Sequence, residues 1–169
     1  MYFLTELNFN DFLPDSEKFK ESALPPALLA AKRWRVSSPC ANKDRDTALV
    51  WTQIQALDAN DQAAGFKSLA YFVQIAQNGP PLTQHLDKKQ VHEAHVFVSA
   101  VSGKAEKVWR YRRGDIRIMF YYGNDRVLLL VDLLAKRSDK LEPALLKWAE
   151  QAVNAYLSAT KANAVLLAN

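Results

Sequence analysis

The sequence has few of the residues on which covalent or cofactor chemistry depends. Cys40 is its only cysteine. No intramolecular disulfide can form, which suits a reducing compartment. Histidine is scarce as well: His85, His92 and His95 all fall in the segment HLDKKQVHEAH. His92 and His95 would share a helical face there, with Glu93 or Asp87 nearby. With no second cysteine and no spaced ligand pair, neither a metal site nor a cofactor is expected. The chain has no P-loop, no dinucleotide fingerprint and no Gly-x-Ser-x-Gly, which removes the enzyme classes built on those motifs. No apolar run approaches the ~20 residues of a membrane span. The start, MYFLTELNFNDFLPD, has no basic region ahead of an apolar core, so no secretory signal is expected and the cytoplasm is the expected location. There is no internal repeat and no low-complexity tract.

What remains fits one domain, or one domain with an appendage, in 169 residues. Lysine and arginine outnumber aspartate and glutamate 22 to 18, for a formal charge of +4. Residues 1–30 differ from the rest. They carry Glu6, Asp11, Asp15, Glu17 and Glu21 against Lys18 and Lys20, with Phe and Leu interspersed and Pro14, Pro25 and Pro26 as breaks. They read as an acidic, aromatic extension that packs on a partner surface, covers the chain's own basic surface, or completes the core or a dimer contact. A domain over 31–160 and a tail over 161–169 complete the division.

Lys32–Ser37 is a strand candidate, and Pro39 and Asn42 mark a loop. Val50, Trp51, Ile54 and Leu57 then recur at helical spacing behind Asp46. Phe66, Leu69, Ala70, Val73 and Ala76 form a second apolar stripe, closed by Asn78-Gly79-Pro80-Pro81. Together these predict a helical hairpin. From about Val96 the period changes to two. Strands are expected over Val96–Val101, Val108–Arg113, Ile116–Tyr122 and Arg126–Leu134, with turns at Gly114-Asp115 and Gly123-Asn124-Asp125. The last strand is apolar on nearly every residue, as a central strand covered on both faces would be. A final helix is expected from Leu141 to Ala159, with Leu141, Leu145, Trp148, Ala152 and Tyr156 on its core face. The predicted class is α+β: a small, twisted, mainly antiparallel sheet with a two-helix hairpin and a C-terminal helix. Trp34, Trp51, Trp109 and Trp148 are expected in the core.

The most informative stretch is Lys104–Lys140, with ten bases against five acids. In the strand after Lys107, Val108, Arg110 and Arg112 share one face, and Trp109, Tyr111 and Arg113 share the other. A strand that buries Trp109 and Tyr111 would present Arg110 and Arg112 together. Guanidinium groups grip phosphate bidentately, and aromatic rings on a sheet can stack bases. A solvated, functionless sheet face is the competing reading.

The order Arg112-Arg113-Gly114-Asp115-Ile116-Arg117, an alternating strand, a Gly-Asn-Asp turn, an apolar strand and then Ala135-Lys136-Arg137 resembles the RelE/HigB toxins of the RelE/ParE superfamily. Gly79-Pro80-Pro81-Leu82 is similar to a further segment of that family. The resemblance covers roughly residues 32–158. It implies a RelE-like microbial ribonuclease fold and an endoribonuclease (an mRNA interferase) that docks on the ribosome, cuts mRNA and so inhibits translation. It also implies a cognate antitoxin as partner, with no membrane and no metal. By position, Arg112 and Arg137 match phosphate-gripping residues, and Lys136 joins them as a candidate catalytic group. Lys104, Lys107, Arg110, Arg113 and Arg117 become candidate RNA contacts. Arg117 has an alternative role as a structural arginine paired with an acid such as Asp132.

The sequence departs from the family at one point. Many active members carry Tyr or His shortly after the last strand, for acid–base work. Here Ser138-Asp139-Lys140-Leu141-Glu142-Pro143 has neither. Tyr111 or Tyr121 would have to substitute. Two alternatives to the nuclease therefore stand: a ParE-like inhibitor of DNA gyrase and an inactive, phage-derived relative.

Overall fold

A computed structural model describes residues 1–13, 33–78, 82–136 and 142–169. Among these residues, seven strands form one sheet: β1 (Tyr2–Glu6), β2 (Arg35–Cys40), β3 (Val91–Val98), β4 (Ala105–Arg113), β5 (Ile116–Tyr122), β6 (Val127–Ala135) and β7 (Val165–Leu167). Their spatial order is β3-β4-β5-β6-β2-β1-β7. The helices are α1 (Leu49–Gln55), α2 (Ala59–Asn78) and α3 (Pro143–Lys161), with a single helical turn at Leu82–His85 and 3-10 turns at Phe9–Phe12 and Arg45–Thr47.

The class is α+β, but the architecture corrects the expected small, mainly antiparallel RelE-like sheet with its helical hairpin. The sheet is mixed: β2 runs parallel to β6, and β7 runs parallel to β1. Both additional strands come from the chain ends. Tyr2–Glu6, read as part of an extension, pairs antiparallel with β2, and Val165–Leu167, read as tail, pairs with β1. Leu4 and Leu7 are buried. The Gln77 side-chain amide donates to the Leu7 carbonyl from α2. The first residues therefore complete the core, on the far side of β6 and β2 from β4. Asp11 pairs with Arg45 at 2.9 Å. Residues 14–32 lie outside the described residues.

The expected hairpin is replaced by two helices that each lie on the sheet. α1 packs on β2 and β6, and α2 packs on β2, β5 and β6. Val50 and Ile54 join Leu69, Phe72, Val73 and Ala76 against Ile116, Ile118, Phe120, Leu128, Leu130 and Leu133. Phe72 fills the place expected for Phe66, which stays at the surface beside Phe12. On the opposite face, Ala149, Val153 and Tyr156 of α3 cover Val108, Met119, Tyr121, Leu129 and Val131. The buried stripe of α3 is thus shifted from the expected one, and Trp148 is exposed. Trp34, Trp51 and Trp109 are half-buried against the α1–α2 side. Pro39, expected in a loop, lies within β2. That strand pairs with β6 only over Arg35–Ser37, so the proline falls where a missing N–H is tolerated.

The turn of the β5–β6 hairpin packs closely on Tyr156 of α3. The Tyr156 hydroxyl accepts the Asn124 N–H at 3.2 Å. A methyl group added at Gly123 would lie 2.5 Å from that hydroxyl. Gly123→Ala should therefore cost about 1–3 kcal/mol through overpacking. Urea denaturation checks this. The cost should shrink in a Tyr156→Phe background, and an unchanged midpoint would contradict the contact.

Candidate nucleic-acid interface

β4 alternates as its sequence predicts. Val108 points into the core under α3. Tyr111 points the other way, its ring 5.2 Å from Phe72 of α2. Arg113, on the same side as Tyr111, places its guanidinium 4.6 Å from the Tyr71 ring centroid, a cation–π contact. Arg110 and Arg112 therefore lie on the α3 face. Only Arg112 is presented to solvent; Arg110 is 5 % exposed.

The end of the sheet at the β4–β5 turn forms a basic corner. Gly114 and Asp115 make a two-residue connection, with Gly114 in the left-handed region that the turn requires (φ 57°). Arg117 faces Arg112 across the hairpin and is 2 % exposed. Its Nη1 donates to the carbonyls of Gly114 at 2.7 Å and Ile116 at 3.2 Å, fastening the turn from inside. Lys136, just past β6, donates its backbone N–H to the Asp115 carbonyl at 2.7 Å. The Arg112 N–H donates to the Gln90 carbonyl at 2.7 Å, which brings the turn before β3 alongside. That turn is shaped by Asp87, whose carboxylate accepts the Lys89 and Gln90 N–H groups at 2.9 Å each. It exposes Lys88 and Lys89. His92 is the direct cross-strand partner of Arg110, so its side chain is on the same face.

The corner thus gathers Arg110, Arg112, Arg117 and Lys136, with Arg113 just around the edge. Arg137 lies outside the described residues. Lys104 and Lys107 are not brought to it. Lys107 pairs with Glu93 at 2.8 Å on the α1–α2 face. Lys104 is exposed at the other end of β4, eight residues or roughly 26 Å from Arg112.

Neither tyrosine considered for acid–base work reaches the corner. Burial under α2 pushes the Tyr111 hydroxyl up. The Tyr121 hydroxyl donates to Glu106 at 2.6 Å near the opposite end of the sheet, and burial pushes it up too. Asp132 accepts the Leu133 N–H at 2.8 Å. Burial pushes its carboxyl up to about 6, the reverse of what a dominant guanidinium partner would do. The Cys40 thiol is likewise pushed up by burial, which disfavours a reactive thiolate.

Lys88, Lys89 and His92 were not singled out from the sequence as part of this surface. HLDKKQVHEAH reads as helical, yet it holds a helical turn, a tight turn and the start of β3. A bulge between Glu93 and His95 breaks the period of two that marks a strand. Among the described residues, no helix is long and apolar enough to cross a membrane, and no three His, Cys, Asp or Glu side chains gather as metal ligands. A scan against protein-family models and a search of curated proteins find no match.

Two predictions separate scaffold from surface. Arg117→Ala should destabilise the chain by about 1.5–3 kcal/mol, since two turn carbonyls lose a charged donor. Arg112→Ala should lower the melting temperature less, because its side chain is exposed and not buried. Equal effects in thermal denaturation would contradict the division. Asp132 is raised from 3.8 to about 6, so the folded chain binds its proton more tightly than the unfolded chain does. The stability this contributes is complete below pH 3.8 and is lost as the pH rises to about 6. Asp132→Asn should therefore gain on the order of 2 kcal/mol at pH 7.5 and nothing at pH 3.5. Stability curves that stay parallel across that range would contradict the burial of this carboxyl.

Proposed function

We propose that this chain is a toxin of the RelE/HigB kind, neutralised by a separate antitoxin, that binds RNA at the basic corner and cleaves mRNA on the ribosome. One observation carries the reading. Arg112 is held out to solvent by a turn braced from inside by Arg117, with Lys136, Lys88 and Lys89 around it. A planar guanidinium on a rigid strand end suits a phosphate, and the surrounding lysines suit the flanking phosphates. Cleavage would proceed by attack of the 2′-hydroxyl on the adjacent phosphate. Arg112 would stabilise the charge that builds on the phosphoryl oxygens.

A second reading is favoured by the burial of Tyr111 and Tyr121, which removes the two tyrosines considered as acid–base substitutes. On that reading the same surface is a non-catalytic inhibitor, as in the ParE group. Induced expression followed by primer extension on cellular mRNA separates the two. Codon-phased cuts support the nuclease; stalled replication with intact mRNA supports the gyrase inhibitor.

Arg112→Ala should relieve growth inhibition and weaken RNA binding by about 1.5–3 kcal/mol, roughly ten- to hundredfold. For about four phosphate contacts to single-stranded RNA, affinity should fall roughly fiftyfold between 50 and 200 mM salt. Full toxicity in the variant, or affinity independent of salt, would contradict the assignment of this surface.

A further inference from the structure

β3 ends the sheet on one side, so its outer edge has no strand beside it among the described residues. Edges of this kind are ordinarily guarded by charges, proline or a bulge, because their free N–H and C=O groups invite another strand. The first half of β3 is guarded: it carries Glu93 and a bulge between Glu93 and His95. The half that follows, His95-Val96-Phe97-Val98-Ser99, has no acid, lysine, arginine or proline. It also exposes two large apolar side chains, Val96 at 49 % and Val98 at 75 %. We propose that this segment pairs antiparallel with the same segment of a second copy of the chain, joining two sheets into one across a two-fold axis at Phe97.

The register follows from hydrogen-bond alternation. The Ser99 N–H donates to the Lys104 carbonyl at 2.9 Å, which makes these two a hydrogen-bonded pair. Such pairs alternate with non-bonded ones along an antiparallel ladder. Phe97, opposite Glu106, is therefore bonded to β4 as well. Val96, opposite Lys107, and Val98, opposite Ala105, aim their N–H and C=O groups away from β4. The free groups thus lie evenly on either side of Phe97. A two-fold axis through Phe97 sets Val96 of each copy against Val98 of the other, and each of these pairs exchanges both backbone hydrogen bonds.

The side chains agree with the backbone. Val96 and Val98 share the α1–α2 face with Lys107, so the exposed valines of the two copies meet as directly opposed pairs. Cross-strand pairs of β-branched side chains stabilise a sheet. Lys107, the lysine beside them, is paired with Glu93 at 2.8 Å, so the valine patch meets no uncompensated charge there. A one-residue slip would set free backbone groups against bonded ones. Moving the axis to Val96 or Val98 would oppose one valine to itself and the other to an alanine, Ala94 or Ala100. The strand therefore fits itself best about Phe97. Val91, at the end of β3 beside the basic corner, is roughly 20 Å along the strand from Phe97. The two corners of the dimer lie at opposite ends of the joined strands and both stay open, so the pairing is independent of RNA binding.

Sedimentation of the full chain over a range of concentrations, with amide hydrogen exchange on the same samples, tests the pairing. The chain should be monomeric at about 1 μM and largely dimeric at about 1 mM, as suits an interface below standard size. The Val96 and Val98 amides should gain protection with concentration, whereas the Phe97 amide should be protected throughout. V96K/V98K alters exposed side chains only; it should fold normally and stay monomeric, because lysine then opposes lysine. V96K/V98E should dimerise about tenfold more tightly than V96K/V98K, since only this register sets each lysine against a glutamate. Arg112→Ala should dimerise as the unaltered chain does. A dimer that survives V96K/V98K, or equal association of the two charged variants, would overturn the inference. So would open-ended polymers joining β3 to the opposite edge at β7. A chain that stays monomeric at the higher concentration would overturn it too and leave this edge to a strand of another protein.

Discussion

β6 is apolar on both of its faces, and the rest of the fold answers that constraint. Leu128, Leu130 and Leu133 point toward α1 and α2, while Leu129 and Val131 point toward α3. Such a strand cannot lie at an edge or on a one-sided sheet without exposing leucines to water. Its backbone also needs a partner on each side. β5 supplies one through an antiparallel hairpin, and β2 supplies the other in parallel. A parallel neighbour demands a long crossover. The stretch from β2 to β6 provides it, carrying α1 and α2 onto one face before β3, β4 and β5 form. α3 then closes the second face, and β1 and β7 extend the sheet past β2.

With both faces closed over the middle of the sheet, charged groups are driven to its end. Desolvating a guanidinium is costly unless its donors are met. Arg117 meets part of that cost with the carbonyls of its own turn. A buried charge thereby becomes a brace for the Gly114–Asp115 connection. Arg112, opposite it, inherits a fixed backbone and an exposed side chain. A functional arginine on a rigid strand end loses less conformational freedom on binding than one on a loop. Backbone bonds from Lys136 to Asp115 and from Arg112 to Gln90 bring Lys136 and the Lys88–Lys89 turn to the corner, although they are far apart in sequence.

Parts of this arrangement are legible from the sequence because they are local. The β5 boundaries, the Gly114–Asp115 turn, the alternation along β4 and the central place of β6 all follow from period and turn chemistry. Partner choice between strands does not. Nothing in Tyr2–Glu6 distinguishes a strand from an acidic tail, because its pairing depends on β2, about 35 residues away. The strand expected over Val96–Val101 lies at Val91–Val98; the bulge conceals its first half, and with it the position of His92. Phe72 takes the buried place and Phe66 stays at the surface because α2 turns its Leu69–Phe72–Val73–Ala76 side to the sheet. Arg110 and Arg112, adjacent on one face, differ in exposure because cover by elements distant in sequence cannot be read from strand alternation. The segment after Lys136, which carries Arg137, lies outside the described residues.

The central claim is that the end of the sheet at the β4–β5 turn is the surface that meets RNA. Backbone amide chemical shifts of the full chain, followed while a short single-stranded RNA is titrated in at low salt, test it most directly. The account predicts shifts concentrated at Lys88–His92, Arg110–Arg117 and Lys136. It also predicts their loss when Arg112 is replaced by alanine and when salt is raised. Shifts confined to the α2 surface around Phe66 and Tyr71, or to the β1–β7 side of the sheet, would contradict it.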